Sequence, residues 1–155
     1  MALNETDTAE LDISKQFLPQ TESWAEPLWS GLHRGELHIQ KCEPCGSFVY
    51  PPVEETCPQC TAAYSWHRAS GTGRLWSWVT FHRSYYPGYP LASPYTVLMV
   101  EIEEGVRMLG SLDADTSVEE LQCDMTMKFK PVRLSDDVHI PGFVLLGKER
   151  SRLET

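Results

Sequence analysis

Four thiols stand in one short stretch, "CEPCGSFVYPPVEETCPQC", as two Cys-x-x-Cys pairs: Cys42 with Cys45, and Cys57 with Cys60. A Cys-x-x-Cys turn puts both sulfurs on one side of a tight knuckle. Two facing knuckles complete the tetrahedron of thiolates that Zn²⁺ accepts. Gly46 follows the first pair, where a knuckle favours a left-handed residue, and Pro44 and Pro58 fix φ inside the turns. Cysteine fills all four positions and leaves none for a substrate water, so the expected ion is a structural Zn²⁺. The same tetrathiolate would take iron in a rubredoxin-like site. Two disulfides or a redox pair are the alternative, which a reducing compartment disfavours.

The remaining reactive side chains form no catalytic pattern. Cys123 is the only cysteine outside this stretch, and it precedes a predicted strand with no motif around it. His82 and His139 are possible acid–base groups, but neither has a paired carboxylate or a Ser-His arrangement near it in sequence. His33 and His38 sit near a ribbon whose ligand set is already complete, and read as surface residues. Nucleophilic catalysis needs a nucleophile with its base, so no catalytic residue is expected.

The ligands need elements to hold them. "GELHIQK" alternates Leu37 and Ile39 with polar neighbours, and "SFVYPP" reads as a strand entering a turn, which makes the segment a zinc ribbon. Five further strand-like runs follow: "GRLWSWVTFHR", "YTVLMVEIEEG", "VRMLGSLDA", "MTMKFKPVRL" and "PGFVLLGKE". The second and third form a hairpin through a Glu-Glu-Gly turn. Between the third and fourth, "DADTSVEELQC" carries a capping-box signal that predicts one short helix. This is the order of an OB-fold barrel, with a six-strand or sandwich arrangement as the alternative. Ahead of the ribbon, Trp24, Leu28, Trp29 and Leu32 recur at helical spacing, with Pro27 early and Gly31 or Gly35 as a stop. The expected chain is mainly β: a flexible N-terminus over 1–20, a helix over 21–35, a rubredoxin-like zinc ribbon over 36–66, a five-stranded OB-fold with one short helix over 67–146, and a tail over 147–155. Trp24 and Trp29 either pack on the ribbon and barrel or dock a partner.

Composition narrows the partners. The chain has 155 residues and a net charge of −9. Residues 1–66 carry three Lys/Arg against ten Asp/Glu, and residues 67–146 carry seven against ten. Ribbon-plus-barrel chains can bind single-stranded nucleic acid, and Trp76, Trp78, Phe81 and Tyr85 could stack bases, but such binders add a positive groove that this charge does not supply. No apolar run approaches a membrane span, and the acidic start lacks a signal-peptide core, so a cytoplasmic protein is expected.

The lead-in Arg34-Gly35-Glu36-Leu37, the two cysteine pairs, Ser70-Gly71-x-Gly73 at the barrel entrance and "PYTVLMVEIEEGVRMLG" together resemble the small zinc-ribbon/OB-fold proteins that accompany thiolases in acyl-CoA metabolism. The resemblance runs from about Trp24 to Phe143. One departure is Cys123-Asp124-Met125-Thr126, where the family often has a Gly-Met-Pro-like turn, although Asp suits turn geometry. The resemblance implies a non-catalytic subunit of a hetero-oligomer with a thiolase-like catalytic chain, helping to enclose a CoA thioester. It also implies a setting in aromatic or steroid acyl-CoA breakdown; a thiolase splitting an aromatic 3-oxoacyl-CoA such as benzoylsuccinyl-CoA would suit the aromatic loop. Arg74, Arg83, Lys128, Lys130 and Arg133 are then candidates to meet the CoA phosphates. Arg83 leads because it adjoins "SYYPGYPLASPY", a stiff aromatic loop whose Tyr85, Tyr86 and Tyr89, with Trp24 and Trp29, are candidates for the partner interface.

Overall fold

The computed structural model describes residues 17–146. Most of the expected flexible N-terminus and the whole of the expected tail lie outside them.

The helix is shorter than the aromatic spacing suggests. A 3₁₀ turn at Ser23–Ala25 leads into α1, Glu26–Arg34. Pro27 falls in the first helical turn, where no N–H is required. Trp24 therefore lies before the helix, and Gly31 lies inside it. The stop is Gly35, whose φ of 80° suits glycine and whose amide reaches the carbonyls of Gly31 and Leu32. Leu28 and Leu32, one turn apart, are the buried stripe.

The ribbon sheet has three antiparallel strands in the order β2-β1-β3: β1 is His38–Lys41, β2 Phe48–Val49 and β3 Ser65–Arg68. β3 crosses the expected 66/67 junction, since His67 pairs with Ile39 and Arg68 with His38. Leu37 and Ile39 are buried and share one core with Leu28, Leu32 and the barrel interior.

The barrel strands are β4 (Thr72–Phe81), β5 (Tyr95–Ile102), β6 (Arg107–Leu112) and β7 (Thr126–Phe129). A two-stranded hairpin that the sequence pattern did not reveal follows, β8 (Val132–Arg133) with β9 (His139–Ile140), and β10 (Gly142–Leu145) comes last. The closed order is β10-β6-β5-β4-β7, with β10 returning to β7. Only the β10–β6 pairing in the barrel is parallel. This is a mainly-β chain with a five-stranded closed barrel, as the strand count implied. Along β5, Thr96, Leu98, Val100 and Ile102 point inward while Tyr95, Val97, Met99 and Glu101 point out.

Two local readings change. The capping box is not made: residues Val118–Glu120 form a single 3₁₀ turn, and the Ser117 hydroxyl donates to the Glu119 carboxylate instead of a backbone amide. In β4, a bulge lies between Leu75 and Ser77. Leu75 and Trp78 keep the core side, while Trp76 is turned outward and 48% exposed. The Arg107 guanidinium lies 3.6 Å from the centre of its ring, and Arg107 Nε donates to Glu101 at 2.8 Å. Asp124 takes a φ of +66° in the Cys123–Thr126 turn, and its amide donates to the Leu75 carbonyl. Among the described residues no helix is long and apolar enough to cross a membrane.

Candidate metal centre and docking surface

The two cysteine knuckles are structural copies. In the first, the Gly46 amide donates to the Cys42 carbonyl at 2.7 Å and the Cys42 amide to the Ser47 carbonyl at 2.8 Å. In the second, the Thr61 amide donates to the Cys57 carbonyl at 2.8 Å and the Cys57 amide to the Ala62 carbonyl at 2.9 Å. Gly46 sits at φ +73°, and Thr61, its counterpart, at +55°. A β-branched residue is strained there.

The folding of these turns gathers the four sulfurs within 4.8 Å of one another, with no disulfide between them. Cys45 Sγ and Cys57 Sγ lie 3.8 Å apart. Four sulfurs at about 2.3 Å from a common Zn²⁺ would be about 3.8 Å apart, so the set fits a tetrahedral ion. Cys42 and Cys57 are buried, Cys60 is partly buried and Cys45 is exposed. The thiols are electrically unequal. The Ser47 hydroxyl, 3.0 Å from Cys45 Sγ, leads the causes that hold Cys45 down to about 6. The hydrogen bond with Cys45 leads those that push Cys60 up to about 12. A backbone donor at Gln59 lowers Cys57. The four cysteines are positioned to bind one metal ion, as expected of structural zinc.

The basic candidates do not converge. Arg74 and Lys128 are near neighbours on the outer face where β4 meets β7. Lys128 Nζ donates to the Ser70 carbonyl at 3.3 Å and to Thr72 Oγ1 at 3.4 Å. Arg83 lies nine residues beyond Arg74, roughly 25–30 Å along the strand direction. Its guanidinium covers the Tyr85 ring at 5.2 Å. Lys130 is already held by Asp113 at 2.8 Å and Asp115 at 3.8 Å, and Arg133 by Asp136. Among the described residues Arg74, Arg83 and Lys128 form no ion pair, so these three keep charge to offer.

The aromatic candidates divide. Tyr85 and Tyr86 are each 59% exposed, on the β4–β5 loop. Tyr89 packs at 5.1 Å on Tyr95, which stacks at 4.9 Å on Phe81. Trp24 is exposed, while Trp29 packs against the core with its indole nitrogen buried. Phe17, in the segment expected to be flexible, is half-buried, 5.5 Å from Tyr86 and 6.0 Å from Tyr89. The signal was present in Phe17-Leu18-Pro19, an apolar run closing a polar stretch. Ser47 and Thr61 were also missed; only the repeat of the knuckle itself points to them. Of the histidines, His38 is half-buried, 3.0 Å from Glu36, and His33 meets the His139 ring edge-to-face at 5.0 Å. Among the described residues no cysteine, serine or threonine side chain is hydrogen-bonded to a histidine.

Comparison with known proteins agrees with this architecture. The profile of the ChsH2 rubredoxin-like zinc ribbon domain matches residues 29–63, and that of the ChsH2 C-terminal OB-fold domain matches residues 66–130. A protein of Mycobacterium tuberculosis H37Rv described as a 3-oxo-4,17-pregnadiene-20-carboxyl-CoA hydratase alpha subunit is 33% identical over 66% of this chain, which covers 32% of that protein. The chain thus spans about a third of the length of such relatives. A DUF35 domain-containing scaffold protein of Methanothermobacter thermautotrophicus is 32% identical over 64% of this chain and 76% of its own length. The fold matches a chain of the solved Ltp2-ChsH2(DUF35) aldolase with a TM-score of 0.71 at 23% identity, over 82% of this chain and 98% of that one. With the ribbon, the barrel and the scaffold relative matched together, the chain belongs to the ChsH2-type zinc-ribbon/OB-fold family, the DUF35 proteins.

Proposed function

We propose that this chain is the zinc-braced accessory subunit of a thiolase-type enzyme complex, docked beside the active site of a catalytic partner and helping to enclose a CoA thioester. The observation that carries the reading is the β4–β5 loop. Tyr85 and Tyr86 are each 59% exposed there, and Arg83 lies over Tyr85 with no carboxylate partner among the described residues. Exposed aromatic anchors beside a free guanidinium suit an interface that also meets an anionic ligand. The family supports the setting, since one relative is described as a CoA hydratase subunit and the structural neighbour as an aldolase. The pregnadiene relative favours a steroid acyl-CoA over an aromatic one. Arg74 and Lys128 form a second, more distant basic pair. Nucleic acid is a poor occupant at a net charge of −9.

A substitution series tests the reading. Tyr85→Ala with Tyr86→Ala should weaken assembly with the catalytic chain or raise the apparent KM for acyl-CoA. Arg83→Ala should act mainly on KM, because it removes one charge-assisted contact worth roughly 1.5–3 kcal/mol at most. If assembly and kinetics both stay unchanged, the chain is a scaffold far from substrate.

A second reading concerns the partner's reaction. The hydratase and aldolase relatives favour a catalytic chain that hydrates acyl-CoA or cleaves it by retro-aldol chemistry over one that thiolyses it. Thiolysis consumes one free CoA for each bond broken and retro-aldol cleavage consumes none. Turnover of the complex without added CoA therefore separates them.

A further inference from the structure

The docking loop carries little hydrogen bonding of its own. Among the described residues, its internal bonds are Tyr89 N–H to the Tyr86 carbonyl at 3.3 Å and Ser84 Oγ to the same carbonyl at 2.8 Å. Its shape rests on rings. Phe17 meets Tyr86 and Tyr89; Tyr89 meets Tyr95; Tyr95 stacks on Phe81; and Phe81 meets Tyr85 edge-on at 6.4 Å. This ladder starts on the N-terminal segment and ends on the first barrel hairpin. Beside it, Leu18 and Pro19 line an apolar hollow of about 300 Å³ with Leu91 from the loop and Leu134 and Ile140 from the β8–β9 hairpin region. The segment therefore straps the loop to the β8–β9 hairpin region. It does not mask the loop, because Tyr85 and Tyr86 are still 59% exposed with Phe17 in place.

We infer that Phe17-Leu18-Pro19 is a positioning strap, which holds the β4–β5 loop in the shape its catalytic partner binds. The inference rests on the docking role proposed above for that loop. A loop ordered before association loses less conformational freedom on binding, so a pre-formed ladder raises affinity without touching the partner. Phe17 supplies the two ring contacts at its outer end. Aromatic pairs of this kind stabilise beyond the area they bury.

The test uses the full chain with Phe17→Ala, Phe17→Tyr and the double variant Tyr85→Ala/Tyr86→Ala. In the free chain, Phe17→Ala should speed hydrogen exchange at the Tyr89 amide at least fivefold and shift the Tyr86 and Tyr89 ring signals, with β5 and β6 unchanged. With the catalytic chain, it should weaken association five- to thirtyfold by calorimetry. Phe17→Tyr, which keeps the ring, should behave like the parent in both measurements. Unchanged loop exchange in Phe17→Ala overturns the strap, and tighter association would make the segment a cover instead. If Phe17→Ala loosens the loop while the Tyr85/Tyr86 double variant still binds normally, the docking role fails and the strap's effect on the loop stands.

Discussion

Replacing Cys57 by serine should unfold the ribbon and spare the barrel. From residue 42 to residue 64 the only buried side chains are Cys42 and Cys57, both of them ligands. Phe48 and Tyr50 are only partly buried against the core, which is less apolar burial than the ion's loss would require. Structural zinc contributes about 10–16 kcal/mol in peptide systems, or about 2.5–4 for each of four equal ligands, which is two to three decades of affinity. Cys57 is 1% exposed, and its sulfur lies 3.8 Å from Cys45. A serine there leaves three thiolates and an incomplete tetrahedron. The core that the barrel shares with Leu37 and Ile39 is supplied mostly by barrel strands, with Leu75, Leu98, Val100, Met127 and Phe143 fully buried. Metal content should fall well below one ion per chain. Amides over 42–64 should exchange rapidly while those of β4, β5 and β6 stay protected. A Cys57→Ser chain that binds no zinc or iron yet keeps its ribbon protected would refute the assignment of the metal as the ribbon's main support.

Three other outcomes follow from single contacts. Gly73→Ala would bring a methyl group to 2.5 Å from the Glu101 carbonyl and 2.9 Å from Ile102 Cα, both backbone of β5, so it should cost about 1–3 kcal/mol; an unchanged thermal midpoint would contradict this. Burial, then the His33 ring and Arg133, hold His139 below its ordinary range. The folded pKa is depressed, so this group's stabilising contribution is complete above an unfolded value of about 6.5 and is lost as pH falls through the folded value. The His139 ring should therefore titrate below 6.5 by NMR, and His139→Gln should flatten the fall in Tm on acidification below that point; a ring titrating above 6.5 would reverse the sign. Cys123 is exposed, and among the described residues its thiol hydrogen-bonds to the Trp76 carbonyl at 3.5 Å, so Cys123→Ser should change stability by less than about 0.5 kcal/mol and leave turnover of the proposed complex intact.

The parts of this molecule legible in the sequence are those set by strict periods. The Cys-x-x-Cys spacing gave the ligand set, and alternation along "YTVLMVEI" gave the inward and outward faces of β5. Five apolar runs gave the barrel. What was hidden depends on contacts between distant segments. The bulge that turns Trp76 outward is a register shift against β5, and its cation partner is Arg107 on another strand. Lys130 looked like a free charge until the fold brought Asp113 and Asp115 to it. Capping-box residues were present near Ser117, but a turn of three residues is too short to use them. The ring contacts of Phe17 were hidden because they exist only once Tyr86 and Tyr89 fold back to it.

The role proposed for this chain is that of a partner-bound subunit at a CoA-ester active site. The most direct measurement is turnover of an acyl-CoA by the proposed catalytic partner, purified alone and then titrated with this protein. Turnover should rise to a plateau at a fixed stoichiometry and elute as one hetero-oligomer, and the Tyr85→Ala/Tyr86→Ala variant should need a higher concentration to reach it. A catalytic chain equally active without this protein, together with tight binding of single-stranded oligonucleotides by the isolated chain, would contradict the account.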